Sequence, residues 1–171
     1  VMSSHAPART QAVLFKYVPC MQAARLTANH KIEKVFPDGF WAETKFDGWR
    51  IQVHKCGDAV KLYSRSGLDY TSQFSSVVHA IISQKLITAD KCIVDGEILT
   101  WHVDRKEAGP LSLLMPVALG TQDKIECCQY VLAIRLWDVL RVNDEQLMDI
   151  PLNDRHRRLR AIVTVSDVLQ V

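Results

Sequence analysis

Eight consecutive residues, Glu43-Thr44-Lys45-Phe46-Asp47-Gly48-Trp49-Arg50, bring an amine, two carboxylates, a turn glycine and a guanidinium together. A lysine is a nucleophile only after losing its proton, which desolvation or neighbouring positive charge promotes. Arg50 supplies such charge, as would a metal-bound nucleotide. Phe40 to Thr44 reads as a short strand, whose period of two puts Glu43 and Lys45 on one face. A carboxylate there would hold a base edge or a ribose beside the amine. Gly48 lets the chain turn after Asp47 and lets a ligand approach closely. Taken alone, Lys-x-Asp-Gly reads equally well as a charged strand end followed by an Asp-Gly turn.

The residues that follow must position this group. Ile51, Gln52, Val53 and His54 alternate apolar and polar, Gly57-Asp58 is a turn signal, and Val60, Leu62 and Ser64 resume the alternation. That pattern predicts a hairpin. Centring the loop on Gly57-Asp58 pairs Arg50 with Arg65, Gln52 with Tyr63 and His54 with Lys61 on a polar face, with Ile51, Val53 and Leu62 on the apolar one. Two arginines directly opposite each other repel, so either an anion sits between them or they splay into solvent.

Three further elements stand in order with the first. They are Ser64-Arg65, then Asp95-Gly96-Glu97 within Cys92-Ile93-Val94-Asp95-Gly96-Glu97-Ile98, then Trp137-Asp138-Val139-Leu140. With Lys45-Phe46-Asp47-Gly48-Trp49-Arg50 as the Lys-x-Asp-Gly-x-Arg pattern, the chain from about Phe15 onward resembles the covalent nucleotidyltransferases, and among them the ATP-dependent DNA ligases. The wording Glu-Thr-Lys-x-Asp-Gly-x-Arg-x-Gln-x-His-Lys is most similar to their eukaryotic end-joining branch.

The resemblance implies an α+β fold of antiparallel sheets flanked by helices, incomplete at its C-terminus. The ligase elements Glu-Gly-x-x-x-Lys and Lys-x-Lys do not occur in this sequence. It implies transfer of AMP from ATP to Lys45, with Mg²⁺ as a second cofactor, and then onward to nicked or broken DNA. Glu43, with the backbone of Thr44 and Phe46, would address adenine; Asp47 and Gly48 would shape the turn and orient the amine. Arg50 and Arg65 would hold ribose and phosphate, and Glu97 would ligate Mg²⁺ or the ribose. Trp137 stands where ligases usually carry a phenylalanine that stacks on the base, while large aromatics are more often core. A scaffold protein of end joining would bind only through regions absent here, and the location implied is the nucleus. Two alternatives remain: an mRNA capping guanylyltransferase, which shares Lys-x-Asp-Gly-x-Arg, and an inactive nucleic-acid- or protein-binding module.

Composition bounds these readings. A chain of 171 residues, 48% apolar and 23% charged, has enough material for one globular core. No apolar run reaches the ~18 residues a membrane helix needs, so an intracellular protein without a membrane partner is expected. Five cysteines without Cys-x-x-Cys spacing predict reduced packing residues and no zinc site. A net charge of +2 is too small to argue for nucleic acid. The basic run Arg155 to Arg160, behind a helix cap at Asn153 or Asp154, reads as a solvated helix face or a DNA backbone contact.

Residues 1–14 are expected to form a mobile N-terminal segment and 15–171, by the resemblance, the N-terminal portion of a ligase adenylation domain. Helices are expected from Met21 to Phe36, interrupted near Thr27-Ala28-Asn29, and from Ser75 to Leu86. Strands are expected at Cys92–Thr100 and Gln129–Leu140, with a poorly determined linker at Trp101–Lys124. In the last strand, alternation puts Val131, Ala133, Arg135 and Trp137 on one face and Leu132, Ile134, Leu136 and Asp138 on the other.

Overall fold

The computed structural model describes residues 11–20, 26–27, 31–40, 42–125 and 127–171. Along the chain run α1 (Ile32–Val35), β1 (Trp49–Cys56), β2 (Ala59–Ser64), α2 (Ser75–Ser83), β3 (Lys91–His102) and β4 (Glu107–Ala108). They are followed by α3 (Leu111–Ala118), β5 (Tyr130–Val142), β6 (Glu145–Gln146), α4 (Leu152–Ile162) and β7 (Leu169–Gln170). One sheet has the order β2-β1-β3-β5-β6, with β4 added to β3 and β7 to β5. All pairings are antiparallel except β5 with β7. The α+β expectation is met.

The hairpin has the register that its apolar alternation dictates: Ile51 opposite Ser64, Gln52 opposite Tyr63 and His54 opposite Lys61. Gly57 takes φ +56° at the first loop position, where a left-handed backbone suits glycine. The ladder ends at Ile51–Ser64, and Arg65 lies in the turn beyond β2. The expected Arg50–Arg65 ladder pair is therefore not formed.

β3 alternates cleanly and separates the two faces of the sheet. Val94 and Ile98 join Ile51, Val53, Ile134 and Leu136 in the main core, which Val77 and Ile81 of α2, Leu114 and Val117 of α3 and Leu159 of α4 cover. Burial of that many aliphatic side chains, about 1.5–3 kcal/mol each, is the main term holding the helices to the sheet.

On the opposite face, Leu99 and Trp101 pack with Ala133, Val131 and Phe46, while Ile93 and Leu140 pack with Ala12 and Val18. The face expected to be polar is thus covered at one end by residues 11–20. Gln52 acts on this strap as a peptide group would: its Oε1 accepts from Val18 N–H at 2.9 Å and its Nε2 donates to Val18 O at 3.1 Å. His54 Nδ1 accepts from Phe15 N–H at 3.0 Å, and its Nε2 lies 2.8 Å from Gln52 Oε1. Ala12, anchored through Gln146 and Arg141, is fully buried.

Several other expectations change. Residues 42–47 have no regular secondary structure, so the Phe40–Thr44 strand is not formed; Trp41 lies outside the described residues. Of the helix from Met21 to Phe36, only α1 is helical among the described residues. The linker contains α3, whose Leu114, Val117 and Ala118 reach the core despite Pro116 near its end. α4 starts after Pro151 with no side-chain cap, because Asp154 engages Arg157 and the proline presets the first turn.

β5 departs from simple alternation where the site lies. Gly96 pairs with Leu136 and Asp95 with Asp138, leaving Trp137 without a partner on β3; Leu140 is bulged in the same way. A bulge re-aims its side chains and bends its strand. Gly96 belongs to this feature, since a Cβ there would stand 2.5 Å from the Arg135 carbonyl oxygen. The five cysteines are free, and burial pushes the Cys92 thiol up to about 12.

Candidate nucleotide site

Between the strap and the Phe46 patch, the exposed floor of the sheet is the row Arg50, Glu97 and Arg135, one residue from each of β1, β3 and β5. Above it opens a cleft of about 1020 Å³. Lys45 lines it, together with Glu43, Thr44, Phe46, Asp47, Gly48, Arg50, Arg65, Glu97 and Trp137, so all ten residues expected from the sequence border one cleft. A second hollow of about 240 Å³ adjoins it and shares Glu43, Thr44, Phe46 and Trp137. Arg135, His156 and Arg160 close its far side.

The nucleophile segment rests on the sheet at two points. Phe46 packs on Leu99, Trp101 and Ala133, with the Arg135 guanidinium 5.1 Å from its ring centre. Gly48 passes so close to β3 that an added Cβ would collide with the Ile98 carbonyl oxygen and with Glu97 Cγ. The neighbouring strand by itself therefore requires glycine here, and Gly48 has no positive φ. The contact places Lys45 beside Glu97, whose carboxyl accepts from the Gly48 backbone. Burial raises the Glu97 pKa, Gly48, Lys45 and Arg50 pull it back, and Asp47 adds to the rise.

Arg50 is committed on two sides. Its Nη2 donates to Asp95 Oδ2 at 2.8 Å, and its Cζ stands 5.6 Å from the Trp137 ring centre. Burial works against its charge, and the Asp95 carboxylate more than offsets that, raising its pKa. Asp95 is pushed up by its own burial, which Arg50 only partly counters. Arg50 thus reaches the cleft with its orientation already set, so no anion between two arginines is needed to explain it. Arg65 is held differently, through its backbone: Tyr17 Oη donates to its carbonyl at 2.5 Å, and the Tyr17 ring packs under Gly67.

The basic run of α4 is divided. Arg155 lies inside, with Nε and Nη2 donating to the two oxygens of Asp138 at 2.7 and 3.0 Å and Nη1 donating to Ile150 O. Its side chain is 11% exposed, which excludes the solvated-face reading for this residue. Arg157 pairs with Asp154, and Arg158 with Glu145 at 3.1 Å. His156 turns toward the smaller hollow, its Nε2 3.5 Å from Glu43 Oε1.

Sequence reasoning passed over Tyr17, gave Asp95 no role beyond its motif, and read Arg155 and His156 only as part of a basic run. Asp95 was within reach, because strand alternation puts it on the face of Glu97. The other three depend on contacts between segments far apart in the chain. Among the described residues no cluster of three or more His, Cys, Asp or Glu could hold a metal by itself. A single carboxylate such as Glu97 would suit Mg²⁺ only with phosphate oxygens completing its coordination. No helix among the described residues is long and apolar enough to cross a membrane.

The chain was compared with known proteins. Residues 20–171 match the family model described as ATP dependent DNA ligase domain. Among curated relatives, DNA ligase 4 of Dictyostelium discoideum is 34% identical over 74% of this chain and 12% of its own length. DNA ligase 4 of Saccharomyces cerevisiae is 30% identical over 88% of this chain and 17% of its own length. The DNA ligase of the archaeon Staphylothermus marinus is 32% identical over 88% of this chain and 25% of its own length. The chain therefore spans a quarter or less of these relatives. A mycobacterial DNA ligase D solved with ATP and MES superposes with a TM-score of 0.53 at 22% identity, over 70% of this chain and 35% of that one.

Proposed function

The chain belongs to the ATP-dependent DNA ligase domain family, and from that premise we propose that its cleft binds ATP and that Lys45 accepts AMP. The observation that carries the proposal is the shared cleft: Lys45 and Arg50 of one eight-residue stretch and Arg65, Glu97 and Trp137 of three others line it together. Lys45 Nζ attacks the α-phosphorus after its ammonium gives up a proton; the P–N bond forms, and the bond to the bridging oxygen breaks with pyrophosphate leaving. Charge grows on the phosphoryl oxygens, where prealigned cations are worth most. Arg50, fixed by Asp95 and Trp137, and Arg65, on its braced turn, face that position from β1 and the turn after β2. Glu97 is the side chain that would hold Mg²⁺, which when bound supplies Lewis-acid stabilisation of the phosphates. Trp137 offers a ring face to the base.

Further steps are proposals about the whole protein: transfer of AMP to a DNA 5′-phosphate, sealing by a 3′-hydroxyl, a role in end joining and a nuclear location. The named relatives are DNA ligases, which favours this reading over capping guanylyl transfer. Incubation with ATP and Mg²⁺ followed by intact-mass measurement tests it. One AMP is expected on Lys45 and none in Lys45→Ala. An adduct that survives in Lys45→Ala overturns the assignment.

A further inference from the structure

Glu43 stands on a segment without regular structure, and its side chain is half exposed, so its own backbone does not fix where the carboxylate points. The element that meets it is α4. That helix is tied to β5 one residue beyond the Trp137 bulge by the doubly bonded, largely buried pair Arg155–Asp138, and its Leu159 lies in the main core. The next residue on this fixed helix is His156, whose side chain is 14% exposed and whose Nε2 is 3.5 Å from Glu43 Oε1. Both line the hollow of about 240 Å³ that Trp137 and Phe46 also wall. An imidazole on a fixed helix thus confronts a half-exposed carboxylate beside an aromatic face.

We propose that His156 is a specificity-determining positioning residue: its ring holds the Glu43 carboxylate toward the hollow, where it selects an adenine base over guanine. This rests on the reading of the cleft as a nucleotide site. The selection follows from donor and acceptor chemistry. A carboxylate only accepts hydrogen bonds. Adenine presents an exocyclic amine at the position where guanine presents a carbonyl oxygen. A carboxylate held in place gains a bond from the first and meets lone-pair repulsion from the second; one free to rotate into solvent does neither. Sites that hydrogen-bond a defined group discriminate strongly because the wrong group leaves buried polar atoms unpaired. A side chain with no regular backbone beneath it needs such a support to hold its aim.

The test is a calorimetric titration of ATP and of GTP onto this chain, carried out for wild type, His156→Ala, His156→Gln, Glu43→Ala and the double variant. ATP is expected to bind wild type more tightly than GTP. His156→Ala is expected to lower the ATP-to-GTP affinity ratio roughly five- to ten-fold, the loss of about one ordinary hydrogen bond. His156→Gln, which keeps a donor for the carboxylate, should restore part of the ratio. In the Glu43→Ala background, replacing His156 should change the ratio no further, an outcome that a merely structural histidine would not give. An unchanged ratio in His156→Ala, or an equal fall with and without Glu43, overturns the proposal. So does a wild type that binds both nucleotides equally. A wild type that binds neither removes the reading of the cleft itself, and the role of His156 with it.

Discussion

Arg50, Asp95, Asp138 and Arg155 stand on strands and a helix, each ionic group answered by another at 2.7–3.0 Å. Glu43, Lys45 and Asp47 stand on six residues without a ladder, are exposed, and belong to a segment resting on the sheet through Phe46 and the close passage of Gly48. The two sides of the cleft are therefore built by different means. On the sheet side the Arg50 guanidinium is aligned before any ligand arrives. With the cleft taking a nucleotide as proposed, such pre-organisation would spare reorganisation during phosphoryl transfer. On the lysine side, position depends on the Phe46 anchor and the close passage of Gly48, with no ladder and no ion pair comparable to those of the sheet side among the described residues.

Breaking the sheet side should have the largest effect. Arg155→Ala leaves the Asp138 carboxylate, 9% exposed, without its bidentate partner. Loss of one member of such a buried pair costs about 3 kcal/mol or more. Urea unfolding should show this drop, whereas Arg158→Ala, whose pair with Glu145 is half exposed, should stay within about 0.5 kcal/mol. Similar values for the two would mean that α4 is not clamped through Asp138.

The strap supplies the next effect. Burial holds the His54 pKa down to about 4, against about 6.5 in an unfolded chain. Between those values the unfolded chain binds a proton that the folded one refuses. The stability contributed is therefore full above about pH 6.5 and lost progressively as pH falls toward 4, by up to about 3 kcal/mol. His54→Gln should show a shallower fall in stability over this window than wild type. Equal slopes would mean that the strap does not keep the imidazole neutral.

The sheet side was also the more legible one. Alternation over Ile51–Ser64 and Ile93–Leu99 specifies register and face, because a one-residue slip would expose the whole apolar set. What alternation cannot show is an extra residue, so the bulge at Trp137 and its consequence for Gly96 were hidden. The strap was hidden for a different reason: Gln52 and His54 look like solvent-facing polar residues until the backbone of Phe15 and Val18 occupies them. Phe40 to Thr44 reads as a short strand, yet among the described residues no neighbouring strand offers it a ladder. In α4 the run of like residues conceals three roles, since burial of Arg155, pairing of Arg158 and the approach of His156 to Glu43 depend on partners 13 to 113 residues away.

Amide hydrogen exchange with and without ATP tests the contrast most directly, since exchange reports local opening along the chain. Without nucleotide, residues 42–48 should exchange fast while β1, β3 and β5 stay protected. Saturating ATP should slow exchange at 42–48 and leave the three strands as they were. Protection of 42–48 before ATP is added, or a response confined to the strands, would contradict a preformed sheet side and a ligand-ordered lysine side.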